Sequence, residues 1–145
     1  MKRITLIVEN LASALGAPVD MRGITRNTFP APQRIVQAGE KKLRYLGCGF
    51  RAPYLLAAAQ AIISGDLPLY QLRNQPYDLI HQQLTRLYGV GDKIADCTML
   101  FSLDRLDAFP IDRWVQRALE HWYGIEPSNA YTGVREWARN HFGGD

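Results

Sequence analysis

The sequence predicts an all-α fold. Apolar residues return at three- and four-residue spacings in segment after segment, glycines stand where those segments stop, and no alternating run is long enough to demand a sheet. In MKRITLIVENLASALG, Ile4, Ile7, Val8, Leu11 and Leu15 share one stripe and Gly16 is a natural stop. This helix starts at the first residue with no cap or lead-in, as in a chain entered midway through something longer. Residues 17–34 carry Pro18, Gly23, Pro30 and Pro32 and read as an irregular connection. RIVQAG and EKKLRYLG read as short helices ended by Gly39 and Gly47. RAPYLLAAAQAIISG is rich in helix formers, with Pro53 tolerated in its first turn. YDLIHQQLTRL places Leu79, Ile80, Leu84 and Leu87 on one face, and DKIADCTMLFSL after Gly91 reads as apolar and buried. DRWVQRALEHWYG puts Val115, Ala118, Leu119 and Trp122 on a core-facing stripe, and AYTGVREWARNHFGGD supplies a last helix.

Composition narrows the function classes. With 145 residues, 47% hydrophobic and 21% charged, the chain suits one globular domain with a modest core. A formal charge of +3 and a pI of about 9.0 suit a polyanion partner and equally an ordinary basic enzyme. Cys48 and Cys97 form no CxxC pair, which argues against a zinc knuckle or a four-cysteine iron–sulfur cluster. No signal-like leader opens the chain and no apolar run is expected to reach membrane-spanning length, so a reducing, soluble compartment is the default.

The segment LYGVGDKIADC carries the chemistry. Two helices joined by Gly89-Val90-Gly91 form a helix–hairpin–helix pattern. The glycines permit positive φ and close approach of another molecule's backbone, and the second helix offers unpaired N–H groups to a phosphate. A tight glycine turn between packed helices explains the glycines alone equally well. A P-loop does not, because Lys93 is followed by Ile94 rather than Ser or Thr. A lysine at an electropositive helix start is electrostatically awkward. Partly desolvated there, Lys93 is expected to give up its proton easily and act as an amine nucleophile that forms a Schiff base. Asp112, nineteen residues later in AFPIDRWVQRAL, reads as a helix N-cap. The same carboxylate suits stabilisation of a sugar cation or movement of a proton. Asp96, three residues after Lys93, reads as a local structural or solvent-facing group.

Together, LYGVGDKIADC and DAFPIDRWVQRAL resemble the helix–hairpin–helix DNA glycosylases with a Gly/Pro-rich loop and catalytic aspartate, in their 8-oxoguanine DNA glycosylase/lyase branch. LRYLGCGFRAPYLLAAAQAI is similar to the segment of that family that enters DNA. The lysine separates this branch from the monofunctional alkylbase glycosylases. The resemblance implies a base-excision repair enzyme that removes 8-oxoguanine from double-stranded DNA. Lys93 attacks C1′, expels the base and forms a Schiff base open to β-elimination, while Asp112 stabilises the sugar cation and assists with the lysine's proton. Gly89, Val90 and Gly91 grip the DNA backbone. The backbone carbonyls of Thr85, Leu87 and Val90 match positions that hold K+ or Na+, with no other cofactor required. Phe50 matches an aromatic wedge, Arg51 a contact to the orphaned cytosine, and Cys97 a place in the base pocket. Simpler readings stand beside these: Phe50 as core, Arg51 as a helix-capping or solvated side chain, Cys97 as a small buried hydrophobe.

The chain also departs from the family pattern. Tyr88 stands where the family usually has proline, implying a less rigid hairpin. Trp114 stands where eukaryotic members have histidine and bacterial-type members commonly have tryptophan, implying a prokaryotic, nucleoid-associated protein of the cytoplasm. The family has further pieces before the position of Met1 and beyond HFGGD. Residues 1–145 therefore read as a single glycosylase domain truncated at both ends, with apolar surface exposed there and self-association expected. The rival from another class is a non-catalytic helix–hairpin–helix DNA-binding module, or an inactive glycosylase fragment.

Overall fold

A computed structural model describes residues 2–126 and 130–142, which form two compact units, Met1–Leu67 and Pro68–Asp145. In the first, α1 (Lys2–Leu15), α2 (Pro32–Leu43) and α3 (Ala52–Ser64) bury Leu11, Leu15, Ile35, Leu43, Leu46, Cys48, Ala52 and Ala59 together. Three of the five α1 stripe residues are used there, Ile7 packing against the cluster from a partly buried position. Leu11 and Leu15 are core, whereas Ile4 and Val8 are exposed.

The fold is helical as predicted, with one addition. Within residues 17–34 lies a two-stranded antiparallel hairpin, β1 (Pro18–Met21) paired with β2 (Ile24–Asn27), Val19 opposite Arg26. Its turn residues Arg22 and Gly23 both have positive φ, at 57° and 81°, the geometry that matches strand twist in a two-residue connection. Asp20 Oδ1 accepts from the Gly23 amide at 2.8 Å. Every strand residue is exposed, so neither face carries a hydrophobic alternation by which to recognise it.

Helical residues from Pro32 to Ser64 reach a mean hydropathy of 1.3 over an 18-residue window. By length and composition this run is enough to cross a membrane, contrary to the sequence expectation. Non-helical backbone at Gly39 and Gly47 breaks it. Such breaks leave backbone polar groups that hydrocarbon does not satisfy. The breaks fall where the two short helices were expected to end, and a π-helical turn (Arg44–Cys48) and a 3-10 turn (Gly49–Arg51) lead into α3.

In the second unit, α4 (Leu69–Leu72) precedes α5 (Tyr77–Thr85), which packs on α6 (Asp92–Ser102); α7 (Arg113–Tyr123) and α8 (Tyr131–Phe142) follow. Ile80, Leu84, Ala95 and Met99 are fully enclosed. Ile111, Leu119 and Val134 form a smaller cluster, flanked by Phe109, Val115, Tyr131 and Trp137. Trp122, assigned to the α7 core stripe, is instead 74% exposed, and Leu79 on α5 is likewise on the surface. Gly143, Gly144 and Asp145 lie outside the described residues.

Candidate functional site

The hairpin between α5 and α6 is built from a ladder of short backbone bonds. The Leu87 amide donates to Leu84 O at 3.1 Å, and the Val90 amide donates to Leu87 O at 3.0 Å. Gly89 has φ +84°, the left-handed region in which any side chain is strained. The sequence assigned that freedom to both glycines, and the structure corrects this. Gly91 is extended, with φ −98° and ψ 178°, and needs no special backbone. What it supplies is room: a Cβ built at residue 91 meets no atom within 4 Å and would project into open space. Gly91 is the N-cap of α6 and no side chain caps that end, so the first amides of the helix have no side-chain acceptor. Tyr88 sits exposed at the tip.

Lys93 stands in the first turn of α6, exposed. The burial expected of it is therefore absent, because the open hairpin leaves this turn at the surface. Asp112 is the N-cap of α7, its Oδ1 accepting at 2.8 Å from the amides of Val115 and Trp114. The bond from Val115 is the largest influence and, with the bond from Trp114 and lesser contributions from the charges of Lys93 and Arg113, it outweighs the opposing desolvation and holds the carboxyl below the usual carboxylate range. Lys93 is thus close enough to Asp112 for its charge to act there. The capping role and the electrostatic pairing coexist in one side chain. Cys97, one turn after Lys93 on the same helix, is half-buried.

In the first unit, Phe50 and Arg51 occupy the turn Gly49–Arg51. Phe50 is 61% exposed, which rules out the core reading, and the Arg51 guanidinium lies 4.4 Å from its ring centroid. The two residues form one exposed aromatic–cationic step, with Tyr54 edge-on to Phe50 at 6.4 Å.

The sequence reading missed a polar network in the second unit. Of the two readings given to Asp96, local structural or solvent-facing, the structural one holds: the side chain is fully buried. Its Oδ1 accepts from the Tyr77 hydroxyl, and its Oδ2 accepts from the Tyr131 hydroxyl at 3.0 Å. Burial and then the Asp96 carboxylate raise Tyr77 above the usual phenol range; Tyr131 is also raised, first by burial and with an Asp96 contribution, against a lowering bond from Ile111. Both hydroxyls therefore stay protonated and donate. Arg135 Nη1 lies 2.7 Å from His81 Nε2 and 3.5 Å from Asp92 Oδ1. A guanidinium only donates, so His81 accepts as the neutral imidazole. Arg139 stacks 3.4 Å from the Tyr77 ring centroid. Tyrosines at helical spacing look like core, and nothing in their spacing marks their hydroxyls as paired with one aspartate.

A helix–hairpin–helix with an exposed lysine on its second helix and a capping carboxylate on the helix that follows suits a DNA-repair class of protein, and comparison with known proteins agrees. The sequence profile of the HhH-GPD superfamily of base excision DNA repair proteins matches residues 1–141. The chain belongs to this superfamily. Its similarity is to the 8-oxoguanine glycosylase branch. It is 28% identical over 162 residues to a probable N-glycosylase/DNA lyase of Methanothermobacter thermautotrophicus, covering 97% of this chain and 51% of the relative. It is 31% identical over 137 residues to the N-glycosylase/DNA lyase of Saccharomyces cerevisiae, covering 86% and 36%. Among solved structures, the Clostridium acetobutylicum 8-oxoguanine glycosylase/lyase in complex with double-stranded DNA containing cytosine opposite 8-oxoguanine aligns with a TM-score of 0.89 at 30% identity. That alignment covers 98% of this chain and 49% of that one. The chain thus spans about half or less of the length of these relatives.

Proposed function

We propose that this chain carries the catalytic centre of a DNA glycosylase/AP lyase acting on 8-oxoguanine in double-stranded DNA. The carrying observation is the placement of two side chains: Lys93 in the first turn of α6, directly after the glycine hairpin, and Asp112 at the N-cap of α7, its carboxylate fixed by two amides. The unprotonated Lys93 Nζ attacks C1′ of the damaged nucleotide as the bond from C1′ to the base breaks and the base leaves with its electron pair. The sugar ring opens to a Schiff base, and loss of a C2′ proton expels the 3′ phosphate. Asp112, held ionised, stabilises positive charge developing on the sugar and accepts the lysine's proton. The uncapped amides at the start of α6 suit a backbone phosphate, and the open space beside Gly91 lets it approach.

Phe50 supplies the wedge that fills the stack as the base leaves it, and Arg51 the planar donor for the orphaned cytosine. Half-buried Cys97 lines the base pocket. The carbonyls of Thr85, Leu87 and Val90 are suited to K+ or Na+: Thr85 is the last residue of α5, so its carbonyl is left without an intrahelical partner. Leu87 O retains a second lone pair beside its bond from Val90. Such an ion supplies positive charge opposite a phosphate.

A second reading, a DNA-binding module without catalysis, draws on the exposure of Lys93 at the surface of α6, where a cation suits a backbone phosphate. Borohydride reduction in the presence of DNA containing 8-oxoguanine opposite cytosine separates the two. The enzyme gives a covalent adduct that disappears in Lys93→Gln. A binder shifts the DNA and gives none, and that result overturns the catalytic reading.

A further inference from the structure

Lys93 and Asp112 lie on different helices, and a pairing between them needs something that fixes one helix against the other. The structure contains such a link in the hydroxyl of Tyr131. It accepts a hydrogen bond from the Ile111 amide at 3.2 Å and donates one to Asp96 Oδ2 at 3.0 Å. Ile111 immediately precedes Asp112, and Asp96 sits one helical turn after Lys93 on α6. The second carboxylate oxygen of Asp96 is taken by Tyr77, so the carboxylate is tied at both oxygens. Apolar packing of Ile111 against Leu119 and Val134 locates this segment in a general way, but dispersion is non-directional. A hydroxyl hydrogen-bonded on both sides, in a half-buried position, sets distance and angle together.

We infer that Tyr131 and Asp96 are positioning residues for the Lys93–Asp112 pair: the strut Asp96–Tyr131–Ile111 joins the turn of helix that carries the amine to the cap that carries the carboxylate. The function given to that pair rests on the glycosylase/lyase reading above, whereas the strut itself does not. The alternative is that Tyr131 only satisfies a buried aspartate, with no bearing on the pair.

The test is the coupling between residues 93 and 112, read without catalysis. The Asp112 carboxyl carbon is followed by NMR across pH in the intact chain, with and without Lys93→Gln. Removing the lysine's charge raises the Asp112 midpoint, and the size of that rise measures how closely the pair is held. In Tyr131→Phe, which keeps the ring in its cluster and deletes only the hydroxyl, the rise should shrink to about half or less. Tyr77→Phe also removes a donor from Asp96 but leaves the strut, and should retain the rise. An undiminished rise in Tyr131→Phe, or an equal loss in Tyr77→Phe, overturns the inference. Should Tyr131→Phe not fold, Asp96→Asn weakens the same link and reads the same coupling; a diminished rise supports the strut and an unchanged one overturns it. Borohydride trapping runs alongside: Tyr131→Phe should slow adduct formation about tenfold. A wild-type chain that traps no DNA refutes the catalytic reading and leaves the coupling result to decide the strut.

Discussion

Asp112 and Val115 are joined by a 2.8 Å hydrogen bond from the Val115 amide to Asp112 Oδ1, the closing bond of the α7 cap. The residue that caps the helix is also the residue placed to serve the chemistry, and two substitutions separate the tasks. Asparagine caps as well as aspartate but carries no charge; alanine does neither. Asp112→Asn should keep the thermal midpoint close to wild type while sharply reducing borohydride-trapped adduct, and Asp112→Ala should lower both. Calorimetry with trapping on the same samples checks this, and full trapping by Asp112→Asn would remove the carboxylate's charge from the mechanism.

The hairpin glycines should differ in what their loss damages. Gly89→Ala forces a side chain into positive φ, at a cost of about 1 kcal/mol in stability. Gly91→Ala places a methyl in open space on extended backbone, so the fold should lose little. DNA affinity should fall, because that methyl stands where a phosphate is expected to approach. Urea unfolding and gel-shift titration at fixed salt measure the two effects independently.

A third expectation concerns Gly16, where α1 ends. A Cβ there would come within 1.9 Å of the Thr28 carbonyl oxygen, a backbone atom that has no rotamer by which to move aside. Gly16→Ala should therefore destabilise the first unit by roughly 1–3 kcal/mol, the usual range for overpacking. A thermal midpoint equal to wild type would show that the hairpin and helix separate freely.

Acid should weaken the fold through His81. Burial, and then the Arg135 guanidinium, hold its pKa below the ordinary 6.5, partly offset by Asp96, Asp92 and Asp78. Below 6.5 the unfolded chain takes up a proton that the folded chain refuses, so stability falls as pH drops from there toward the lower folded value and recovers above it. Urea midpoints at a series of pH values should show this slope, reduced in His81→Gln.

Much of the fold was legible because its helices announce themselves by spacing and end at glycines: the breaks at Gly39 and Gly47 and the stops at Gly16, Gly65 and Gly124 all fall where glycine stands. The β1–β2 hairpin was not legible, since exposed strands carry no buried face to impose alternation. Lys93 was found because an amine at an electropositive helix mouth is locally unusual, and Asp112 because an acid is a favoured helix cap and its motif matched the family. The surroundings of Lys93 were misjudged, because burial depends on what packs over a helix turn and not on the turn's own residues. Asp96 escaped for the converse reason: its partners Tyr77 and Tyr131 lie 19 and 35 residues away in sequence.

The chain's two thiols occupy unlike surroundings. Cys48 is enclosed in the first unit, where burial raises its pKa and suppresses its reactive thiolate. Cys97 is half-buried, one turn beyond Lys93. A maleimide dye offered to the folded protein therefore has one preferred attachment point. A fluorophore there would report on events beside the amine without any engineered cysteine.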